Sequence, residues 1–313
     1  MPRQLQRGDD ESLPAAASDG VEALRLNYLD FAAARDGSAS PQPPLAKGEG
    51  RGALASGSGN EREGLERGES FIGPGTPAQE ERRLCREDLV DNVLRRALEH
   101  SALAPELLSE EALEASLQAA LASAHRQPDV WLFAYGSLVW NPVFDFEERL
   151  VATVHGYHRS FCLWSRINRG TPEKPGLVLG LDRGGRCTGV AYRIPAHQAE
   201  AELRLLWRRE MLLGSYAPRW VLVTHGSRSL RALAFAVNRE RSGYAGRLRA
   251  EAIVERLLYA RGQIGTGLDY LRQTIDGLAA VGVRDPHLIR LEALARQRLG
   301  EDEPHRPRAD LQL

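Results

Sequence analysis

Large aromatic side chains decide where this chain can build a core, and they are unevenly placed. Of the 20 Phe, Trp and Tyr residues, only Tyr28, Phe31 and Phe71 precede Trp131. Rings of this size dominate core burial, so a segment nearly without them is poorly equipped to offset the entropy of ordering its backbone. Residues 36–75 add ten Gly, five Ser and four Pro, 19 of 40 positions, which is the composition of a linker or a disordered tail. Residues 1–82 are therefore expected to form a disordered or low-complexity extension with no catalytic role. A periodic patch at Val21–Ala34 would make only a marginal isolated helix.

The rest of the composition excludes several classes. With 41 basic and 42 acidic residues the formal net charge is −1, so no general attraction to nucleic acid or to an anionic membrane surface is expected. Cys85, Cys162 and Cys187 are too few and too scattered for a disulfide framework, and no pair has zinc-ligand spacing. A reducing cytoplasm with inert thiols is the expectation. Acidic residues interrupt the start of the chain before an apolar signal-peptide core could form, and no apolar run reaches the roughly 18 residues of a membrane span.

Helical periodicity starts near Arg86. Asp88 is placed to cap a helix carrying Leu89, Val93, Leu94 and Leu98, and Pro105 to open a second with Leu107, Leu108, Leu113, Leu117 and Leu121 on one side. Residues 83–129 thus read as a helical preamble. From Val130 the pattern turns to strand: Val130–Tyr135, Val151–Trp164, Leu177–Leu181, Cys187–Ile194, Trp220–Val223 and Leu230–Val237, with turns at points such as Gly184-Gly185. One helix, Ala196–Leu213, interrupts these runs, and three follow them: Arg247–Ala260, Leu268–Val281 and Pro286–Leu299. Strands first and helices later, without regular βαβ alternation, predict an α+β fold. Its sheet should be mainly antiparallel or mixed and able to close into a small barrel with flanking helices over 130–300. A charged tail follows at 301–313.

Two features carry chemistry. The first is Trp131-Leu-Phe-Ala-Tyr-Gly-Ser-Leu138, an apolar strand running straight into Gly136-Ser137. Glycine at a strand end lets a ligand approach the main chain, and successive N–H groups at such a turn can cradle an anion. Taken alone, this is equally the end of any buried strand. The second is the stripe Ala199, Leu203, Leu206, position 210, Leu213, spaced by four, three, four and three residues along one helix face. Position 210 is a glutamate. A carboxylate on an apolar face should be buried, and Gly214 as a helix terminator sets Glu210 in the last turn, by the negative end of the helix dipole. Both effects raise its pKa, as a general acid/base requires. The competing reading is an ion pair with Arg204, Arg208 or Arg209. Glu200 and Glu202 fall off the stripe and read as solvated surface.

Other candidates are weaker. His155, His158 and Cys162 suggest a Cys/His nucleophile only at a distance along one strand. No phosphate-binding Gly-rich loop ending in Lys-Ser or Lys-Thr occurs. In the turn-rich loop Arg169–Gly176, Arg169 and Lys174 either meet a substrate carboxylate or are simply solvated, the second reading being favoured.

Phe133-Ala-Tyr-Gly-Ser-Leu-Val-Trp-Asn-Pro142 resembles the glycine-serine loop of the γ-glutamylcyclotransferases, specifically their ChaC-like branch. In the same order come Tyr157-His-Arg-Ser-Phe-Cys-Leu163, Arg169-Gly-Thr171, Pro175-Gly176, Gly189-Val-Ala-Tyr-Arg193, Leu206-Trp-Arg-Arg-Glu-Met211, Gly214 with Tyr216, and Gly265-Thr-Gly-Leu-Asp-Tyr270. The resemblance spans about residues 85–300. It implies a γ-glutamylcyclotransferase-like barrel and cleavage of glutathione to 5-oxoproline and cysteinylglycine, without metal or other cofactor. The family's catalytic glutamate falls on Glu210. Its substrate loop falls on Leu132, Phe133, Ala134, Tyr135, Gly136, Ser137 and Leu138, and a further substrate contact on Tyr270. Ala134 replaces a glycine of the pattern, and the segment before Tyr270 lacks the usual Asn or Ser. Two alternatives remain open at this point: a cyclotransferase for another γ-glutamyl amino acid or amine, and a non-catalytic regulator of cation transport.

Overall fold

The computed structural model describes residues 83–124 and 129–300; the expectations for residues 1–82, including Val21–Ala34, and for 301–313 fall outside them. The described part opens with short helices α1 (Arg86–Val90) and α2 (Val93–Glu99), a 3-10 turn at Ala104–Glu106, and α3 (Glu110–Ala122). The two expected helices are each broken. Asn92 adopts a left-handed conformation, φ 58°, which separates α1 from α2. Asp88 is not the cap but the third residue of α1, where its carboxylate accepts from the Cys85 N–H. Pro105 opens only the 3-10 turn, and Ser109 caps α3 by accepting from the Ala112 N–H.

The predicted α+β barrel is present. β1 (Val130–Ala134), a short α4 (Ser137–Trp140), β2 (Glu148–Ser165), β3 (Gly176–Ile194), α5 (Ala196–Glu210), β4 (Tyr216–His225) and β5 (Arg228–Val237) come first. They are followed by α6 (Ala250–Tyr259), a two-stranded ribbon of β6 (Arg261–Gly262) and β7 (Gly265–Thr266), α7 (Gly267–Ala280) and α8 (Pro286–Leu299). The strand order β1-β3-β2-β4-β5 closes through a parallel β1–β5 pairing, with Trp131 opposite Ala232 and Leu132 opposite Leu233. The other neighbouring strands along the order pair antiparallel. Closure removes the exposed edges of an open sheet.

Leu177–Leu181 and Cys187–Ile194 belong to a single strand, so Gly184-Gly185 is not a reversal. These glycines, φ 101° and 72°, stand across from Gly156, φ 84°, where the β2–β3 register shifts. A bulge with glycines in left-handed conformations bends a long hairpin as a barrel requires. The hairpin turns instead in the segment 166–175.

Alternation along β1 divides two cores. Trp131, Phe133 and Tyr135 join a cluster of strand residues that includes Val154, Val223 and Ala232 and fills the barrel. Val130, Leu132 and Ala134 join the larger cluster built with the helices, containing Leu203, Leu206, Leu271 and Leu291. Buried on both sides, β1 is held rigidly where it ends at Gly136. Among the described residues no helix is long and apolar enough to cross a membrane.

Candidate active site

The turn after β1 is fixed from behind. Arg159, buried on β2, donates through Nε to the Tyr135 carbonyl at 2.5 Å and through Nη2 to the Thr188 carbonyl at 2.7 Å. Its Nη1 pairs with Asp285 at the start of α8. The Tyr135 carbonyl and the Gly136 N–H share one planar trans peptide, so holding the first sets the direction of the second. Gly136 then leads into α4, whose opening N–H groups have no intrahelical carbonyl to bond, as in the first turn of any helix. An added Cβ on Gly136 would stand 2.9 Å from the Tyr270 hydroxyl, so close approach, not an unusual φ, is what calls for glycine here.

α5 brings Glu210 to the same place. Its start is tied to β1, since Asp129 accepts from the Ala196 N–H. It buries Ala199, Leu203, Leu206 and Trp207, and it ends at Glu210. The expected extension to Leu213 does not form: the chain turns through Gly214, φ 63°. Glu210 is thus the last helical residue, with its side chain 12% exposed. Burial pushes its carboxyl above the ordinary glutamate value, against the opposing pull of Arg209.

The two readings of Glu210, buried acid and ion-paired acid, hold together. Arg209 Nε lies 3.0 Å from Glu210 Oε1. The same guanidinium donates through Nη2 to Ser137 Oγ at 2.9 Å and through Nη1 to the Asn141 carbonyl at 2.7 Å. One buried arginine therefore ties the acid of α5 to the glycine-serine turn.

Glu210 and Ser137 share a cleft of about 220 Å³ with Tyr270, Tyr216, Arg169 and Gln273. Burial lifts the Tyr270 phenol to about 12, so it stays protonated as a hydrogen-bond donor. Of the residues expected at the site, Glu210, Ser137 and Tyr270 line this cleft. Gly136 lies beside it, below the Tyr270 hydroxyl. Leu132, Ala134 and Leu138 pack into the helix-side core and Phe133 into the barrel. Tyr135 points into the barrel as well, its hydroxyl donating to the Phe235 carbonyl at 2.7 Å. These residues face the cleft, where they do so at all, through the main chain.

Two expectations change. Arg169 is buried and not solvated: it donates to the Ile264 and Thr266 carbonyls and to Gln273 Oε1, with its guanidinium 5.6 Å from the Tyr270 ring centroid. Lys174 is exposed. Glu202 is also buried, gripped by both terminal nitrogens of Arg86 at 2.5 and 2.6 Å and accepting from the Asp145 N–H. The face of α5 that looked solvated is covered by α1. Cys162 and His158 form no nucleophilic pair, as their spacing implies: Cys162 is buried with its thiol pushed up to about 12, while His158 is half-buried and bonded to the Gly184 carbonyl. Arg159 carries no spacing signal. The tie from Arg209 to Ser137 and Asn141 carries none either, since its partners lie about 70 residues away.

Known proteins match the chain in family and in fold. The family model for ChaC-like proteins matches residues 130–298. The chain is 40% identical over 199 residues to the glutathione-specific γ-glutamylcyclotransferase of Escherichia coli (strain K12), an alignment covering 63% of this chain and 86% of that protein. It is 36% identical over 166 residues to the human glutathione-specific γ-glutamylcyclotransferase 1, covering 51% of this chain and 75% of that one. The crystal structure of a yeast γ-glutamyl cyclotransferase specific to glutathione superposes with a TM-score of 0.51 at 20% identity, over 55% of this chain and 97% of that one, and so shares the fold. By its motifs, its barrel and these matches, the chain belongs to the ChaC-like family.

Proposed function

We propose that the protein is a glutathione-specific γ-glutamylcyclotransferase, converting glutathione to 5-oxoproline and cysteinylglycine, with Glu210 as its proton carrier. The observation that carries the reading is the buried Glu210 carboxyl, joined through Arg209 to Ser137 in the lining of one cleft. The specificity for glutathione named for the bacterial and human relatives supports the choice of substrate.

The nucleophile is the substrate's own α-amino nitrogen, which attacks the γ-carbonyl carbon to close a five-membered lactam. Holding the folded-back conformer is most of the enzyme's task, since well-oriented intramolecular attack reaches effective molarities of about 10⁵–10⁸ M. The amine is an ammonium at neutral pH and must lose a proton first, and the cysteinyl nitrogen must gain one to depart. Glu210 takes the proton from the first nitrogen and delivers it to the second. In all, two protons leave the ammonium as it becomes the lactam N–H, and two reach the departing amine. The γ-carbonyl carbon exchanges one C–N bond for another, no water is consumed, and the carboxylate ends as it began. Main-chain N–H groups around Gly136, Ser137 and Leu138 hold the substrate α-carboxylate or the developing oxyanion. Losing one such donor typically costs about 2.7–4 kcal/mol. Tyr270 contributes a neutral phenol donor beside them.

The experiment is mass detection of 5-oxoproline and cysteinylglycine from glutathione, beside γ-Glu-Ala and γ-Glu-Lys and beside Glu210→Gln. Release from glutathione alone is expected. Equal release from the other γ-glutamyl compounds removes the specificity, and no release from any substrate removes the activity.

A further inference from the structure

Resting on the cyclotransferase reading, we propose that Arg83, outside the stretch the family model matches, binds the distal carboxylate of the substrate, the one on glycine. The preamble is a wall of the cleft: Arg83, Leu84, Leu94, Leu98 and Leu103 line it together with Ser137 and Glu210. Four arginines surround this space, and three are engaged. Arg209 is bound to Glu210 and Ser137. Arg166 places two nitrogens on the Glu106 carboxylate at 2.6 and 2.7 Å. Arg169 is buried against carbonyls of the segment before α7. Arg83 is exposed, its guanidinium carbon 6.0 Å from the Trp140 ring centroid, and among the described residues no carboxylate lies within 4.0 Å of it.

Position and charge both fit the leaving half of glutathione. The glycine carboxylate lies two residues beyond the reacting carbonyl, about 7 Å in an extended chain. Ser137 and Trp140 both line the cleft, and Trp140 lies three residues further along α4, about 4.5 Å along its axis. Arg83 lines the same cleft, its guanidinium carbon over the Trp140 ring. A guanidinium resting on an indole keeps its hydrogen-bonding edge free for a carboxylate, which an ammonium would meet only as a point charge. A dipeptide amine without that carboxylate, or with it esterified, would lose this contact while keeping every contact near Glu210.

The test uses the full chain as wild type, Arg83→Ala, Arg83→Lys and Arg166→Ala, with glutathione and with glutathione amidated at glycine. Release of 5-oxoproline is measured, and calorimetric binding of both compounds is measured in a Glu210→Gln background. The wild type should favour glutathione over the amide about fivefold in KM, as for one exposed charge-assisted contact. Arg83→Ala should abolish that preference and Arg83→Lys retain part of it. Persistence of the preference in Arg83→Ala, or its loss in Arg166→Ala instead, overturns the assignment. An Arg83-dependent binding preference without 5-oxoproline release would sustain Arg83 and sink the cyclotransferase reading. Release of 5-oxoproline without such a preference would do the reverse.

Discussion

Arg209 and Glu210 are neighbours in sequence, yet Arg209 Nε meets Glu210 Oε1 at 3.0 Å. Adjacent residues inside a helix point about 100° apart and do not face each other. The contact forms here because α5 ends at Glu210, where the chain is leaving the helix. The acid is therefore held by a cation that also grips Ser137, and it remains a harder acid to ionise than a solvated glutamate.

Glu210→Gln is expected to keep the fold and substrate binding while lowering kcat by roughly 10²–10⁴. Because burial raises the Glu210 pKa and the base form accepts the ammonium proton, kcat should fall toward acid. That acid limb should lie above the ordinary glutamate range and vanish in the Gln variant. Near-wild-type turnover by Glu210→Gln would take this residue out of the chemistry.

Gly136→Ala is expected to raise KM about tenfold, the scale of the 1–3 kcal/mol that overpacking typically costs. The reason is the 2.9 Å that would separate its Cβ from the Tyr270 hydroxyl. Removing that hydroxyl in Gly136→Ala/Tyr270→Phe should give a smaller loss than the two single effects added together. Strict additivity would show that the glycine is needed for some other reason.

Glu202 makes a stability prediction separate from the chemistry. Glu202→Ala removes the acceptor of two Arg86 donors and of the Asp145 N–H. Charged hydrogen bonds of this kind contribute about 1.5–3 kcal/mol together once the partial exposure of Arg86 is allowed for. A fall of about 5 °C in Tm follows for a domain of this size. Calorimetry finding no change would mean that α1 is not held to α5 by this pair.

What the sequence reveals about the fold and the site depends on the range of the interaction. The Glu210 stripe is local, a repeat of four and three residues, and it survives into the structure up to the residue where the helix stops. The barrel strands announce themselves by their aromatic and branched runs, and β1 is buried throughout as its composition implies. Glu202 is illegible in the same helix because its partner, Arg86, is 116 residues away. Nothing in α5 itself says that α1 will cover that side. Arg169 hides for a related reason: its partners are carbonyls near α7, and carbonyls carry no residue identity that a sequence could display. The Gly184-Gly185 pair is visible but ambiguous, since left-handed glycines serve a turn and a bulge equally.

The thiols offer a check on the burial of Cys162 and on the packing of the barrel. Burial pushes Cys162 to about 12 and also raises Cys187, while Cys85 is exposed with only a milder rise, again chiefly from burial. At pH 8 a thiol at about 12, as Cys162 is, is ionised about one part in ten thousand, and the thiolate is the reacting form. A maleimide should therefore label one thiol per chain in the native protein, at Cys85, and all three after denaturation. Rapid native labelling of Cys162 would show that the β2 strand opens to solvent, and with it the strand that carries Arg159 to the Tyr135 carbonyl.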